Sequence, residues 1–123
     1  MSEAKTQLTL GEIIERLKVQ NIGNKVRFDF DDVSPVSLES WRGSYADLAI
    51  GYEKGDGWIV SMLLGKCKEA VGKTFEGYKG GDFEMSKKTD VWVSNFGEYE
   101  SVAIFDILEI GGITILRTFE VDY

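Results

Sequence analysis

The chain has 123 residues, 43% of them hydrophobic and 28% charged, with a net charge of −7. That length and balance fit one folded domain over residues 1–123, with a core that needs no covalent staples. The acidic balance argues against a general affinity for DNA, RNA or an anionic membrane, while leaving room for a small phosphorylated ligand in a locally basic pocket, or for a protein that imitates nucleic acid.

The single cysteine, Cys67, cannot close an internal disulfide and falls on the apolar stripe of a predicted helix, where it reads as a buried, inert thiol. Without histidine, Ser-His-Asp and Cys-His catalysis is impossible, and little is left for a zinc site. Met1 and the polar residues up to Gln7 lack the apolar run of a signal peptide, and no segment approaches transmembrane length. The expectation is a cytoplasmic protein.

Thr9 with Glu12 three residues on makes a capping box, and Leu8 with Ile13 the matching staple. Leu10, Ile13, Ile14 and Leu17 then recur at helical spacing, and residues 21–24 end the first helix. Residues 25–30 alternate cleanly, Val26, Phe28 and Phe30 to one side and Lys25, Arg27 and Asp29 to the other, as in a half-buried strand. Residues 31–39, with the only proline, Pro35, read as irregular, residues 48–52 as a short strand and 53–57 as a turn.

A second helix is predicted from near Ser61, with Val60, Leu63, Leu64, Cys67 and Val71 as its stripe and Gly72 as its C-terminal cap. Gly65 inside it costs about 1 kcal/mol against alanine and argues for a later start. Residues 72–81 read as a glycine-rich loop. Three strands follow, over residues 90–94, 101–110 and 113–121. Gly111-Gly112 signals a two-residue hairpin turn, pairing Ile110 with Ile113, Leu108 with Ile115, Asp106 with Arg117, Ile104 with Phe119 and Val102 with Val121. Asp106–Arg117 is either a structural ion pair on a partly covered face or a charge pair lining a pocket. The fold class expected is α+β: a twisted, mainly antiparallel sheet with two helices packed on one face.

The segment 72–81, Gly72-Lys73-Thr74-Phe75-Glu76-Gly77-Tyr78-Lys79-Gly80-Gly81, is the most unusual stretch. Its glycine-rich backbone carries Phe75, Tyr78 and Lys79, which can offer ring faces and a cation to a ligand. It matches no phosphate-loop pattern, so it reads as a clamp or as a structural loop with a buried Phe75. In Ser40-Trp41-Arg42-Gly43-Ser44-Tyr45, Arg42 suits phosphate or carboxylate and its flanking rings a base or sugar. The structural alternative has Trp41 plugging the core and Arg42 paired with an acid such as Asp47. Trp92 ends a strand, and Asn95 is a turn former whose amide could also read a base or ribose. Asp29, Asp31 and Asp32 are solvated acids or an incomplete metal cluster. No set of general acid, base and nucleophile appears, so no enzyme activity, cofactor or metal is expected.

Leu8-Thr9-Leu10-Gly11-Glu12-Ile13-Ile14, Val26-Arg27-Phe28-Asp29-Phe30, the run from Ser40-Trp41-Arg42-Gly43-Ser44-Tyr45 to Ala49-Ile50-Gly51-Tyr52, the segment 72–81 and Val91-Trp92-Val93-Ser94-Asn95 together resemble a family of small proteins of tailed bacteriophages and prophages. The similarity spans most of the chain and is thinnest over the final hairpin. Trp41 stands where many relatives carry tyrosine, which keeps an aromatic there. The resemblance implies a phage accessory protein acting against bacterial immunity. The leading expectation is a sponge that sequesters a nucleotide-derived immune signal, with Arg42, Tyr45, Phe75, Tyr78, Lys79, Trp92 and Asn95 as ligand-binding residues and a homo-oligomer enclosing the site. The alternative is an acidic inhibitor of a host defence protein, in the manner of a DNA mimic, using Asp29, Asp31, Asp32, Glu98 and Glu100. A metal-dependent nucleotide hydrolase built on the aspartates ranks last.

Overall fold

A computed structural model describes residues 6–41, 44–76, 82–94 and 101–121, with the backbone alone for residues 40, 41, 44–46, 74–76, 82, 83 and 101. Helix α1 (Leu10–Lys18) forms where its capping box predicts it. Thr9 Oγ1 accepts from Glu12 N at 3.3 Å and Glu12 Oε1 accepts from Thr9 N at 3.0 Å, which satisfies donors that a helix start leaves open. Helix α2 (Val60–Ala70) has no side-chain cap at Ile59. The loop after α1 caps it instead: Asn24 O accepts from Val60 N and Ile22 O from Ser61 N, both at 3.0 Å. Gly65 does not delay the helix, and Gly72 turns the chain out of it at φ 80°.

The strands are β1 (Lys25–Phe28), β2 (Val33–Trp41), β3 (Ser44–Lys54), β4 (Thr74–Glu76), β5 (Asp82–Glu84), β6 (Val91–Val93), β7 (Ser101–Ile110) and β8 (Ile113–Val121). Six of them form one sheet in the order β1-β8-β7-β6-β3-β2, and β4 with β5 forms a separate ribbon inside the segment expected to be a loop. The class is α+β, but the sheet is mixed: β1 runs parallel to β8 and β3 parallel to β6. Three of the five pairings, including the two longest, are antiparallel as expected, and the parallel pairing of β3 with β6 arises because α2 separates them. A crossover of that length returns the chain in the same direction, as a hairpin cannot. The sheet also curls until its first and last strands, β1 and β2, lie side by side, a nearly closed barrel.

Residues 31–39 are not irregular throughout, since β2 begins at Val33. Pro35 is tolerated there because β2 is an edge strand and its register with β3 shifts between Pro35 and Ser37. In the last hairpin, Gly111 and Gly112 take φ 58° and 83° and the register holds from Ile110 to Asp106 as predicted. A bulge at Phe105 then shifts it, so Ile104 pairs with Thr118 and Val102 with Glu120. The bulge frees the Phe105 ring to meet Phe119 edge-on at 5.8 Å, with the Arg117 guanidinium 4.8 Å above it. Asp106 is ion-paired, closer to Arg16 of α1 at 2.8 Å than to Arg117 at 3.6 Å.

Both helices bury their stripes in one cluster with Val26, Phe28, Leu48, Ile50, Ile104 and Leu116. The seam between β1 and β2 is closed by side chains. Phe28, Phe30 and Tyr52 stack their rings at 5.4–6.0 Å. Arg27 donates to Ser34 Oγ at 2.5 Å and to Asp56 Oδ1 at 2.6 Å, and Ser34 Oγ donates on to Gly55 O at 2.6 Å. Arg27→Ala should cost about 2 kcal/mol in urea unfolding, the scale of hydrogen bonds to charged groups.

Two carboxyls give opposite pH dependence. Arg27 and then Lys25 hold Asp56 below its ordinary value, so its contribution is present above the unfolded value near 3.8 and is lost as pH falls further. Burial, then Asp47 and Glu12, push Asp90 above its ordinary value. The folded state thus favours protonated Asp90, and that advantage disappears as pH rises through its folded pKa. Asp90→Asn should raise the urea midpoint at pH about 7, with the gain vanishing as both states protonate near the ordinary carboxyl value.

Candidate functional site

After β3 the chain turns at Gly55, φ 87°, and runs back against β2 before entering α2. A Cβ on Gly57 would stand 2.4 Å from Pro35 O and 2.9 Å from Ser34 Cβ, so only glycine fits this approach. Trp58 N donates to Pro35 O at 2.9 Å, which fixes the indole-bearing residue beside the edge strand. Trp58 is half-buried and packs against the core.

Lys66, Glu69 and Ala70 follow at i, i+3 and i+4 on one face of α2, and Lys73 comes just past its end, beyond the turn at Gly72. Lys73 is held there by its backbone: its N–H donates to Ala70 O and its carbonyl accepts from Met85 N, both at 3.0 Å. These four residues, Trp58 and the bulged stretch Val36, Ser37 and Leu38 line an open groove of about 270 Å³. Lys66 Nζ is 3.8 Å from Glu69 Oε2, and both side chains are more than half exposed, so this pair holds Lys66 only weakly. The lining carries two ammonium groups and one carboxylate, a locally basic spot in a chain of net charge −7. An indole beside two lysines can take a planar ring and an anionic group together.

Of the seven residues expected to bind a ligand, Trp92 is the one whose side chain is described. It lies between Ala49 and Ala103 across the sheet, 5% exposed, and its Nε1 donates to Asp47 Oδ2 at 3.0 Å. It is outside the groove. Tyr45 falls in β3 and Phe75 in β4, opposite Phe83, with their side chains outside the description. Arg42, Tyr78, Lys79 and Asn95 lie outside the described residues. Lys73 belongs to the glycine-rich segment, two residues from Phe75, so that segment does lead out of the groove. Sequence reasoning missed Trp58, Lys66 and Lys73. The available signal was the seven-residue spacing of the lysines and Gly57-Trp58 just before a helix.

Two of the three aspartates have partners: Asp29 accepts from Thr118 N and Oγ1, and Asp32 lies 3.4 Å from Arg27. Among the described residues no group of acids and cysteine could hold a metal ion, and no helix is long and apolar enough to cross a membrane. Burial pushes the Cys67 thiol up to about 12, so it stays protonated at neutral pH.

Two glycines flanking the groove should respond in opposite directions. Gly57→Ala should destabilise by about 1–3 kcal/mol and change Trp58 fluorescence, because the clash is with backbone. Gly65→Ala meets open space and should stabilise by up to about 1 kcal/mol without moving the emission, as urea titrations would show. Comparison with protein-family models, curated proteins and solved structures finds no match for this chain.

Proposed function

We propose that this chain is a non-catalytic binding protein that sequesters a small nucleotide-type anion in the groove between β2 and α2. The observation that carries the reading is the meeting of Trp58 with Lys66 and Lys73 in one concave site of an otherwise acidic chain. Taken with the phage resemblance, the cargo is a nucleotide-derived immune signal captured in the host cytoplasm. The groove is open, and a second copy of the chain closing over it would give the homo-oligomer.

A protein inhibitor is the second reading, favoured by Ile110 and Ile113 at the hairpin tip, 64% and 36% exposed. In its acidic version Asp29 is already engaged by Thr118 N and Oγ1, while Asp32 stays exposed.

The test is mass spectrometry of molecules released by heat from protein incubated with lysate of cells whose immune signalling has been triggered. One nucleotide species is expected, and it should be lost from Lys73→Ala. An empty extract from folded protein would overturn the sponge and leave salt-sensitive capture of a host protein as the next measurement. The recovered ligand at about 100 times its Kd should stabilise the protein by about 2.7 kcal/mol.

A further inference from the structure

Among the described residues five large hydrophobic side chains are well exposed: Val19, Ile22, Met62, Ile110 and Ile113, at 36–81%. They come from three separate segments, and the hydrogen bonds of the fold bring those segments to one end of the molecule. Ile110 and Ile113 are cross-strand partners on either side of the Gly111-Gly112 turn. The loop after α1 is tied to that same hairpin, since Gln20 Oε1 accepts from Thr114 Oγ1 at 2.9 Å and Asn24 Nδ2 donates to Glu109 and Thr114. It is tied equally to the start of α2, where Ile22 O accepts from Ser61 N. Val19 and Ile22 thus stand between the hairpin tip and Met62. Apolar residues scattered singly over a surface need no explanation, but all five at one end do.

Together the five leave on the order of 500 Å² of surface exposed, within the range of the largest apolar patch on an ordinary monomer. Two such surfaces face to face bury about 1,000 Å² before any rim residue is counted, the area that a specific interface has to clear. The border carries both signs. Lys18 beside Val19 lies 3.0 Å from Glu15, Lys25 opposite Ile113 lies 3.2 Å from Asp56, and Glu109 precedes Ile110. Two cations against three carboxylates nearly cancel, whereas the whole chain carries −7. An anionic membrane calls for a basic border and a basic partner for an acidic one, and this end offers neither. An apolar centre with a balanced border is matched by its own copy, which meets little net repulsion here, while the rest of the surface holds nearly all of the negative excess. We infer that this end is a self-association surface, through which two chains dock in a two-fold contact centred on Ile22, Met62, Ile110 and Ile113. The contact goes beyond the sequestration reading and needs no ligand. Met62 precedes Lys66 by one turn on the same face of α2, so a docked copy lies next to the groove. Ile110 and Ile113 are then taken up by the partner copy and are not open to a host protein.

Sedimentation equilibrium of the full chain without ligand, from micromolar to millimolar concentration, tests this. A monomer–dimer equilibrium with a micromolar dissociation constant is expected, the weak end for an interface of this size. Ile110→Thr, which keeps β-branching, and Met62→Gln, which keeps a helix former, should each weaken it roughly tenfold. Lys88→Ala, on the exposed turn beside the first residues of α1, should leave it unchanged. Higher salt should hold or tighten the dimer, because it screens the repulsion between two chains of charge −7 and leaves apolar contacts in place. An unchanged urea midpoint, read at a dilution where the chain is monomeric, confirms that each variant is folded. A monomer at every concentration overturns the inference, and flotation of that monomer with phosphatidylcholine vesicles would reassign the end to a lipid surface. A dimer that neither substitution weakens, or that salt dissolves, overturns it too and places the contact elsewhere. None of these outcomes bears on sequestration, which is read from the extracted ligand.

Discussion

The guanidinium of Arg27 reaches from β1 to Ser34 on β2 and to Asp56 beyond β3, so one side chain ties the two ends of the curled sheet to the segment that leads into α2. A sheet of this order would otherwise end in two open edges, each with unpaired backbone groups. Arg27 suits the task because its planar fork can serve several acceptors at once, which the point charge of a lysine does less well. Lys25 adds a second hold on Asp56 at 3.2 Å. The fixed Asp56 lies next to Gly57 and Trp58, so the floor of the groove inherits its position from the closure of the seam. A side chain that does not itself line the groove thereby sets the surface on which a ring would rest.

A second hub works on the neighbouring side. Asn24 donates to Glu109 Oε1 at 2.6 Å and to Thr114 Oγ1 at 3.2 Å, while its carbonyl caps α2. It is buried, and its hydrogen bonds link the loop after α1 to the end of the last hairpin. The start of α2 therefore depends on a loop more than 30 residues earlier, not on a capping residue of its own. That arrangement orients the helix face that carries Lys66 and Glu69.

What the sequence reveals and what it hides follow the range of each interaction. The capping box at Thr9 and Glu12, the exit of α2 at Gly72 and the turn at Gly111-Gly112 are local, and each could be read from neighbouring residues. The bulge at Phe105 could not, because alternation in β7 and β8 is equally consistent with an unbroken ladder. Pro35 argued against a strand, yet an edge position removes the objection, and edge position is a property of the whole sheet. The groove was hidden for the same reason. Val36, Trp58 and Lys73 are spread over 38 positions and meet because α2 crosses over beside β2. Trp92 looked available at the end of a strand, but two alanine neighbours and Asp47 take it in.

The parallel pairing of β1 with β8 has a temporal side. Lys25 lies opposite Ile113, so β1 has no partner in that pairing until β8 has been made. Until then β1 has no strand neighbour on that flank, and pairing it closes a loop that runs from β1 to β8. A strand that waits so long for its partner needs protection from other unpaired strands during its emergence from the ribosome.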